Sequence, residues 1–469
     1  MLDQILAHKR AEVARRKEDL AFESVLARCH PSRRKLSAAL QRGSPGFLLE
    51  IKFTSPSAGT IRPGGDLEPV LRSYGRHADA VSVVTDQAFF GGSLARLAQV
   101  RSRLDQPLLC KDFILDPYQV AEARAHGADA VLLILAAIDD SCWRVCTQLA
   151  ERLGMEVLTE VHDRSEANRA VELEASLIGI NSRDLRTLRV DPETVRSIAP
   201  GIPADRIVVA ESGLDSRAQI QALRPCADAF LVGTALMREP DLDGAVRRFV
   251  YGRTKVCGLT RPADAESAWR AGATHGGLVF ARESPRRVTL QQARSIRDGA
   301  DLAWVGVFAD HPPEEVAAAA GFLDLHAVQL HGQESRDTVT RVRSLVPPEC
   351  EVWKAVPVDR PASLPRRLET GADRLLLDAA TAGRFGGTGH SFDWRVLEGY
   401  SERSAVVLAG GLRVESVAGA AALGTFALDV SSGLESAPGH KDPDQLLRFF
   451  AARRRLPGRM SGGRAGSLP

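Results

Sequence analysis

Residues 107–160 read PLLCKDFILDPYQVAEARAHGADAVLLILAAIDDSCWRVCTQLAERLGMEVLTE, and within them one pattern recurs. Three short apolar runs, PLLCK, AVLLIL and MEVLTE, alternate with two longer segments that have a helical pattern. This alternation is typical of β/α units repeated around a parallel sheet. Two of the runs end in charged residues, Lys111 and Glu160, at the position where β/α barrels place their functional groups.

The same pattern continues in both directions along the chain. Five further strand candidates complete the first half: FLLEI, AVSVVT, SLIGI, RIVVAE and AFLVG. A second set contains TKVCG, GGLVF, AWVGVF, AVQLHG, EVWKAV, RLLLD, AVVLAGG and FALDVSS. Each set has eight members, the number that a closed barrel requires. We therefore predict an α/β fold of two tandem TIM (β/α)8 barrels.

The expected domain boundaries follow from the ends of the two strand sets. The first barrel is predicted over residues 1–252 and the second over residues 253–456, with a very short linker after a last helix at 241–251. Residues 1–43 are predicted to form a helical extension of the first barrel, and we interpret their Arg/Lys-rich face as solvated surface. The Gly/Ser-rich tail, residues 457–469, is expected to be disordered.

The composition of the chain excludes several classes of function. The 469 residues carry a formal net charge of only +2, spread along the chain, which gives no indication of nucleic-acid or membrane-surface binding. The N-terminus has no signal-peptide pattern, and no apolar run is long enough to span a bilayer. Seven scattered cysteines without a CxxC pair argue against a disulfide framework or structural zinc and favour the cytoplasm. The oligomeric state is not determined by the sequence, and a monomer is plausible.

Charged residues cluster at the ends of the first eight strands. Any one of them alone is more often part of a structural ion pair, but two lysines and three glutamates at one barrel mouth indicate a functional site. Ammonium groups beside carboxylates in a partly desolvated cleft can hold acids and bases near neutrality. Gly213 and Gly233 follow strands seven and eight, where barrels bind phosphate through backbone N–H groups. The polar strand-end residues are Glu50, Lys52, Lys111, Glu160, Asn181 and Glu211.

These motifs closely resemble indole-3-glycerol-phosphate synthase over roughly residues 1–250. The resemblance rests on EIKFTSPSAG, LCKDFILDPYQ, LTEV, IGINSRDL, VAESGL and LVGTALM. That family converts a carboxyphenylamino-deoxyribulose phosphate into indole-3-glycerol phosphate, releasing CO2 and water.

The resemblance implies a role for each strand-end residue. Lys111 would be the general acid, Glu160 the general base, and Asn181 would orient the intermediate. Glu50 and Lys52 would serve the dehydration and contact the substrate carboxylate, and Glu211 would belong to the same catalytic set. The residues expected to hold phosphate or line the pocket are Ser55, Ser212, Gly213, Gly233 and Thr234. Phe53 and Ala58 depart from common forms of the motif at positions that concern affinity only.

The second set of eight strands ends in residues of other types. Cys257 ends the first strand in KVCGLT, and Asp378 ends the sixth in LLLDA. A thiol and a carboxyl shifted toward neutrality could move a proton between neighbouring carbons of a sugar. Alone, Cys257 would be interpreted as a buried cysteine. Asp378 is harder to interpret as structural, because an unpaired carboxylate at that position would cost free energy without a role.

Further polar and glycine-rich segments gather at the same mouth. Arg286 lies in ESPRRV, Gln329 and His331 lie in VQLHG, and a glycine-rich loop follows Asp378. A lone histidine such as His331 is more often structural. AGG at 409–411 and DVSSG from Asp429 end strands seven and eight, where a phosphate site is expected. GGTG does not match the GxGxxG pattern of a dinucleotide site.

These segments are similar to phosphoribosylanthranilate isomerase over about residues 253–455. The motifs are KVCGLT, SPRRV, VQLHG, WKA, LLLDA, GGTGxxFDW, LAGGL and DVSSGLE. The resemblance implies an Amadori rearrangement of phosphoribosylanthranilate into the ketose that the first barrel consumes. Cys257 would be the base, Asp378 the acid on the ring oxygen, and Arg286 would hold the anthranilate carboxylate. The remaining substrate and phosphate contacts would come from Gln329, His331, Gly387, Gly411, Asp429, Ser431 and Ser432.

Two other functions fit a pair of phosphate-binding barrels less well. A flavin oxidoreductase would have no need for the Lys–Glu and Cys–Asp pairs, because the cofactor carries hydride chemistry. A non-catalytic scaffold would be expected to lose costly charged residues at strand ends, yet both sets are intact. We therefore expect no cofactor and no metal, and small phosphorylated anthranilate-sugar substrates as the partners.

Overall fold

The computed structural model describes residues 1–358, 364–381, 384–385 and 392–459. The chain divides into two compact units, residues 247–455 and the remainder on either side of them. The division falls inside the helix Leu242–Tyr251, slightly before the expected boundary at 252. Residues 456–459 group with the first unit, and Arg459 donates hydrogen bonds to the carbonyls of Arg206 and Ile202. Residues 460–469 of the predicted disordered tail lie outside the described residues.

Eight parallel strands close the first barrel. Each strand pairs with its neighbours in sequence, and the first strand pairs with both the second and the eighth. The register places Leu48 opposite Ala80 on one side and opposite Leu231 on the other. In chain order the strands are β1 (Gly46–Ile51), β2 (Ala80–Val84), β3 (Leu108–Lys111), β4 (Ala130–Ile134), β5 (Glu156–Val161), β6 (Leu177–Asn181), β7 (Ile207–Glu211) and β8 (Ala229–Val232).

The second unit repeats this topology. Its strands are β9 (Thr254–Cys257), β10 (His275–Val279), β11 (Ala303–Phe308), β12 (Ala327–Leu330), β13 (Glu351–Val358), β14 (Arg374–Thr381), β15 (Val406–Leu408) and β16 (Ala427–Val430). β9 pairs with β10 and β16, and β13 pairs with β14, so this ring is also closed. A short antiparallel strand, Arg384–Phe385, continues beyond β14. The predicted fold of two tandem barrels is confirmed.

Helices connect successive strands in both units. In the first unit they are Glu68–His77, Leu94–Arg101, Pro117–Ala125, Asp140–Arg152, Arg164–Glu172, Glu193–Ile198, Arg217–Leu223, Thr234–Met237 and Leu242–Tyr251. In the second they are Pro262–Ala271, Leu290–Arg297, Pro313–Leu323, Arg336–Leu345, Arg367–Thr370, Val417–Ala422 and Pro443–Arg454. Among the described residues, none of the helices combines the length and the apolar character that crossing a membrane requires.

Capping side chains set the points at which several of these helices begin. Ser93, Asp116, Asp139 and Asp163 each accept a hydrogen bond from a backbone N–H in the first turn of the helix that follows. Such caps satisfy N–H groups that have no partner within the helix. The strands between the helices are buried on both faces, as parallel sheets require. Polar side chains at the strand ends are therefore directed to one mouth of each barrel.

The predicted extension consists of three helices, Leu2–Asp19, Phe22–Leu26 and Leu36–Gly43. Its basic face is not wholly solvated as expected, because Lys9 is only 1% exposed. The Lys9 ammonium lies 2.8 Å from Asp86 and 3.0 Å from Asp112, carboxylates that follow β2 and β3, respectively. Burial of this cation is tolerated because it is paired with them. The extension is thus tied to the barrel mouth by an ion-pair network.

Candidate active sites in the two barrels

A cavity of about 440 Å³ opens at the carboxyl ends of the first-barrel strands. Among the residues that line it are Glu50, Lys52, Lys111, Glu160, Asn181, Glu211, Ser212, Gly213, Gly233 and Thr234. Ser55 instead lines a smaller cavity that shares Lys52 and Thr234 with the larger one. The structure therefore brings the predicted first-barrel residues together at one mouth.

Lys111 lies between two carboxylates at the centre of this cavity. Its Nζ is 3.2 Å from Glu160 Oε2 and 3.0 Å from Glu211 Oε2. Burial opposes the charged form, but Glu211, Glu160 and Glu50 together raise the pKa of Lys111 above its ordinary value. Lys111 is therefore a protonated ammonium at neutral pH, and its pKa is moved away from neutrality, contrary to the sequence expectation.

Glu160 is held by three hydrogen-bond or ion-pair partners. Asn181 Nδ2 donates to Glu160 Oε1 at 3.0 Å, and His162 Nε2 lies 3.1 Å from the same oxygen. Although burial opposes it, Lys111 and His162 lower the pKa of Glu160, so this carboxylate is ionised. Sequence reasoning missed His162, even though alternation along a strand places residues two apart on one side, as with Glu160 and His162.

Glu211 differs from the other glutamates of the cavity in the direction of its pKa shift. Burial raises the pKa of Glu211, and Lys111 offsets only part of that effect, so the pKa is about 7. Its Oε1 has no hydrogen-bond partner among the described residues. A Cβ added at Gly179 would lie 2.1 Å from that oxygen, so only glycine leaves room for the Glu211 carboxylate. Glu211 is thus the carboxyl that titrates near neutrality.

Glu50 and Lys52 form a second pair in the same cavity. Lys52 Nζ lies 2.5 Å from Glu50 Oε2. Burial would raise the pKa of Glu50, but Lys52 and Lys111 lower it below its usual range. A Cβ at Gly233 would lie 2.3 Å from Glu50 Oε2, so this glycine also makes space for a carboxylate. The pair offers an ammonium and a carboxylate side by side, apart from the Lys111 group.

The loops that follow β7 and β8 also line the cavity. Ser212 and Gly213 follow β7 in left-handed conformations, with φ of 65° and 69°. Gly233 precedes the one-turn helix Thr234–Met237. Loops of this kind after the seventh and eighth strands are where barrels bind phosphate.

The two departures from the motif lie near this mouth. Phe53 is buried, and the Arg96 guanidinium lies 4.8 Å from the centre of its ring. Ala58 lies in the loop of a short hairpin, where its N–H donates to the Ser55 hydroxyl at 3.2 Å. Neither residue lines the larger cavity with Lys111 and Glu160.

The second-barrel site is organised around a buried lysine that sequence reasoning missed. Lys255 lies on β9, two residues before Cys257, and its side chain has no exposed surface. Its Nζ lies 3.0 Å from Asp429 Oδ2 on β16 and donates to Gln329 Oε1 on β12 at 2.9 Å. The period-two alternation from Cys257 is the signal that could have identified it.

Gln329 connects this lysine to the expected acid. Gln329 Nε2 lies 2.6 Å from His331 Nδ1, and His331 Nε2 lies 3.5 Å from Asp378 Oδ2. The backbone N–H of Ala379 donates to Asp378 Oδ1 at 2.8 Å. Gln329, His331 and Asp378 therefore meet at one place.

The Cys257 thiol differs from its predicted state. Burial raises its pKa, and the nearby Lys255 ammonium offsets that effect only in part. We expected a shift toward neutrality, and the structure gives a shift away from it because burial outweighs the lysine. A Cβ at Gly277 would lie 2.8 Å from Cys257 Sγ, so the thiol is packed against this glycine.

Arg286 is held firmly beside the thiol strand. Its Nε donates to Glu435 Oε1 at 2.8 Å and its Nη2 donates to Glu435 Oε2 at 2.6 Å. Lys441 Nζ donates to the same carboxylate at 2.8 Å. A Cβ at Gly258 would lie 2.4 Å from Arg286 Cδ, which places the arginine against the turn after Cys257.

The remaining predicted residues that the structure describes lie on or after the last two strands of the second barrel. Ser431 Oγ donates to the carbonyl of Cys257 at 3.1 Å, and Ser432 begins a one-turn helix. Gly411, with φ of 65°, follows β15. Asp429 is paired with Lys255 rather than directed to a free phosphate site. Gly387 lies outside the described residues.

Comparisons with known proteins match both halves of the chain. Residues 2–249 match the family model of indole-3-glycerol phosphate synthase, and residues 254–452 match that of N-(5'-phosphoribosyl)anthranilate isomerase. A tryptophan biosynthesis protein TrpCF of Vibrio cholerae is 46% identical over 92% of this chain and 92% of its own length. The TrpCF of Yersinia pestis is 42% identical over 97% of this chain and 94% of its own length.

A solved structure matches part of the chain. Phosphoribosyl anthranilate isomerase of Thermus thermophilus is 36% identical to it, covering 43% of this chain and 97% of that one with a TM-score of 0.39. The identity to the TrpCF relatives extends through both barrels. The chain therefore belongs to the family of bifunctional tryptophan-biosynthesis enzymes that join an indole-3-glycerol phosphate synthase to a phosphoribosylanthranilate isomerase.

Proposed function

We propose that each barrel carries one of the two activities and that each uses the strand-end residues described above. The first barrel is the synthase and the second the isomerase. The observation that carries this assignment is the position of Lys111 between Glu160 and Glu211 in one cavity of the first barrel. The second barrel instead has the Cys257 thiol at the end of β9 and the Asp378 carboxyl within β14.

In the first barrel, Lys111 donates its proton to the substrate ketone oxygen as the ring carbon that bears the carboxylate attacks the ketone carbon. A C–C bond forms, the ketone becomes a hydroxyl, and loss of CO2 restores the aromatic ring. Glu160 then removes a proton from the neighbouring methylene carbon while Lys52 protonates the hydroxyl, which leaves as water. The ionised state of Glu160 and the protonated state of Lys111 support these roles.

The remaining first-barrel groups position the substrate. Asn181 holds Glu160 and orients the intermediate, while Glu50 and Lys52 serve the dehydration, with Lys52 directed to the substrate carboxylate. Glu211 accepts from Lys111 and keeps it charged. The phosphate is held by backbone N–H and hydroxyl groups of Ser55, Ser212, Gly213, Gly233 and Thr234.

In the second barrel, Asp378 protonates the ring oxygen of the phosphoribosyl group, and the C–O bond to the anomeric carbon breaks to give a protonated imine. The Cys257 thiolate then removes the proton from the adjacent carbon, and the resulting enolamine tautomerises to the ketone. Arg286 binds the anthranilate carboxylate, and Gly387, Gly411, Ser431 and Ser432 contribute to the phosphate and ribose pocket. This rearrangement neither adds nor removes atoms, so no co-reactant is needed.

Supplying phosphoribosylanthranilate to the purified protein without a cofactor tests both assignments. Lys111→Ala is expected to stop formation of indole-3-glycerol phosphate, so that the ketose intermediate accumulates. Asp378→Ala is expected to stop consumption of phosphoribosylanthranilate while the synthase still converts added ketose. Mixing the two variants should restore the complete conversion. If either variant loses both activities while remaining folded, the assignment of one activity to each barrel is wrong.

The proposed isomerase reaction requires a reduced cysteine. All seven cysteines are free thiols in the structure, and Cys257 must remain reduced to act as a base. We assign the enzyme to the cytoplasm, where thiols are kept reduced. Its partners are then small phosphorylated anthranilate sugars.

A further inference from the structure

A continuous polar chain in the second barrel runs from Lys255 to Asp378. Lys255 Nζ lies 2.9 Å from Gln329 Oε1, Gln329 Nε2 lies 2.6 Å from His331 Nδ1, and His331 Nε2 lies 3.5 Å from Asp378 Oδ2. Lys255 and Gln329 are each at most 1% exposed. The order of these groups matters because an ammonium can only donate hydrogen bonds.

The lysine determines the direction of every hydrogen bond that follows. The Gln329 carbonyl oxygen must face Lys255, so the Gln329 amide N–H2 faces His331 Nδ1 and donates to it. A neutral imidazole that accepts at Nδ1 carries its proton on Nε2. The N–H of His331 is therefore the group that points at Asp378.

The same ammonium lies beside the proposed base. Lys255 and Cys257 both pack against Gly277, where an added Cβ would lie 2.8 Å from Cys257 Sγ and 3.0 Å from Lys255 Cε. Asp429 balances the charge of the lysine from the opposite side. An ammonium against a thiol stabilises the thiolate, which is the form that removes a proton.

We infer that Lys255 is a positioning residue for both reacting groups of the isomerase, favouring the Cys257 thiolate directly and fixing, through Gln329, the tautomer of His331 that donates toward Asp378. This inference rests on the proposed roles of Cys257 and Asp378. In this arrangement the buried Lys255 acts on both Cys257 and Asp378, which lie on different strands.

Removing the charge tests the first half of the inference. In Lys255→Met, the pH at which Cys257 reacts with iodoacetamide, followed by mass spectrometry of its peptide, should rise by at least one unit. The alkylation rate at pH 8 should then fall about tenfold, because one pKa unit is a tenfold change. An unchanged alkylation profile in a folded variant would show that Lys255 only supports the fold.

Replacing the Gln329 donor by an acceptor tests the second half of the inference, which concerns the His331 tautomer. Gln329→Glu keeps an acceptor for Lys255 but offers His331 Nδ1 an acceptor instead of a donor, so the ring proton should move to Nδ1. Histidine 15N NMR, with the His331 signals identified from His331→Gln, should report Nε2–H in the parent and Nδ1–H in the variant. Isomerase kcat should fall at least tenfold in parallel. The Nε2–H tautomer persisting in Gln329→Glu would overturn the proposed chain.

A matched control separates these effects from a general loss of stability. Arg374→Met removes the 2.7 Å ion pair with Glu351 at the opposite, amino-terminal end of the same barrel and should leave the Cys257 alkylation profile and isomerase kcat unchanged. Resistance of the second barrel to limited proteolysis measures its folded fraction in each variant. If Cys257→Ser and Asp378→Ala both retain full isomerase activity, the proposed function itself fails, which is distinguishable from failure of the Lys255 chain alone.

Discussion

The two barrels share a topology but stabilise their reacting groups in different ways. In the first, two ammonium groups and three carboxylates from different strands are paired directly, as in the contacts of Lys111 with Glu160 and Glu211. In the second, the buried Lys255 ammonium is linked to the Asp378 carboxyl through Gln329 and His331. Direct pairing holds Lys111 and Glu160 in their charged states, whereas the Cys257 thiol remains protonated more readily because burial dominates. The same fold thus favours the charged form of Lys111 and Glu160 in the first site and the uncharged form of the thiol in the second.

The largest expected effect concerns the helical extension that precedes the first barrel. Lys9→Met leaves Asp86 and Asp112 buried without their cation, and breaking a buried pair costs about 3–5 kcal/mol. We expect synthase activity to be lost at clearly lower urea concentrations than in the parent, while loss of isomerase activity occurs at the parent concentration. Lys17→Met, which removes an exposed pair with Asp116, serves as the control. Equal shifts for both activities would contradict independent stabilisation of the barrels.

Two glycines allow the reacting groups of the barrels to be displaced separately. Gly179→Ala places a Cβ 2.1 Å from Glu211 Oε1, and Gly277→Ala places one 2.8 Å from Cys257 Sγ. Because displacement by about 1 Å can cost 100-fold in rate, we expect roughly that loss of synthase kcat from Gly179→Ala. Gly277→Ala should lower isomerase kcat by about tenfold or more.

Controls for the glycine variants come from positions with open space. Nothing lies within 4 Å of a Cβ added at Gly201 or Gly321, so alanine there should change neither rate. Steady-state kinetics of both reactions on each variant measures the effect. A Gly179→Ala protein that loses isomerase kcat, or a Gly277→Ala protein that loses synthase kcat, would argue against separate sites.

The stability of the two barrels should respond to pH in opposite directions. Burial opposes the charge, but Glu160 and Glu166 raise the pKa of His162 to about 10, so its stabilisation is full below pH 6.5 and is lost as pH rises toward 10. Burial and the neighbouring His326 lower the pKa of His275 well below 6.5. The unfolded chain therefore gains protons that the native second barrel does not, and stability is lost as pH falls below 6.5.

Glutamine variants isolate these two contributions. His162→Gln should flatten the pH dependence of first-barrel stability above pH 6.5, and His275→Gln that of the second barrel below it. Each change should amount to about 1–2 kcal/mol over the range. The measurement is urea denaturation at several pH values, followed by the loss of each activity. Unaltered slopes in the variants would assign the pH dependence to other groups.

The smallest expected effect is at the rim of the first site. Ala58 occupies a position where related motifs carry a basic residue, in the loop that also contains Ser55. Ala58→Lys should lower the KM for the anionic ketose about two- to fivefold without changing kcat, since an exposed charge contributes about 0.2–1 kcal/mol. Ala58→Gln is the uncharged control. A change in kcat would mean that this loop takes part in the reaction itself.

Much of the architecture could be predicted because it depends on local patterns. The apolar run from Ala130 to Ile134 and the capping Asp139 after it are sufficient to place a strand and the start of a helix. The strand-end residues Lys111, Glu160 and Cys257 could be singled out because charged or reactive side chains interrupt such runs. His162 and Lys255 were missed although each lies two residues from a singled-out residue, and this alternation indicates a shared face of the strand but not the partners that each side chain meets.

The protonation states could not be predicted from the sequence. Glu160 and Glu211 look alike in the sequence, each ending an apolar strand, yet the pKa of Glu160 is lowered and that of Glu211 is raised to about 7. The difference arises because Glu160 has Lys111, Asn181 and His162 as partners, while one Glu211 oxygen has none among the described residues.

The sequence by itself determined the two barrels, the extension and the identity of the residues at the strand ends, because strand and helix periods and the order of the motifs are local properties of the chain. The tertiary structure alone decided which of those residues meet and in what state of charge. Lys255 contacts Gln329 and Asp429 across 74 and 174 residues, and a contact over such separations exists only once the barrel has closed. A pKa depends on burial and on such partners, which are properties of the folded chain.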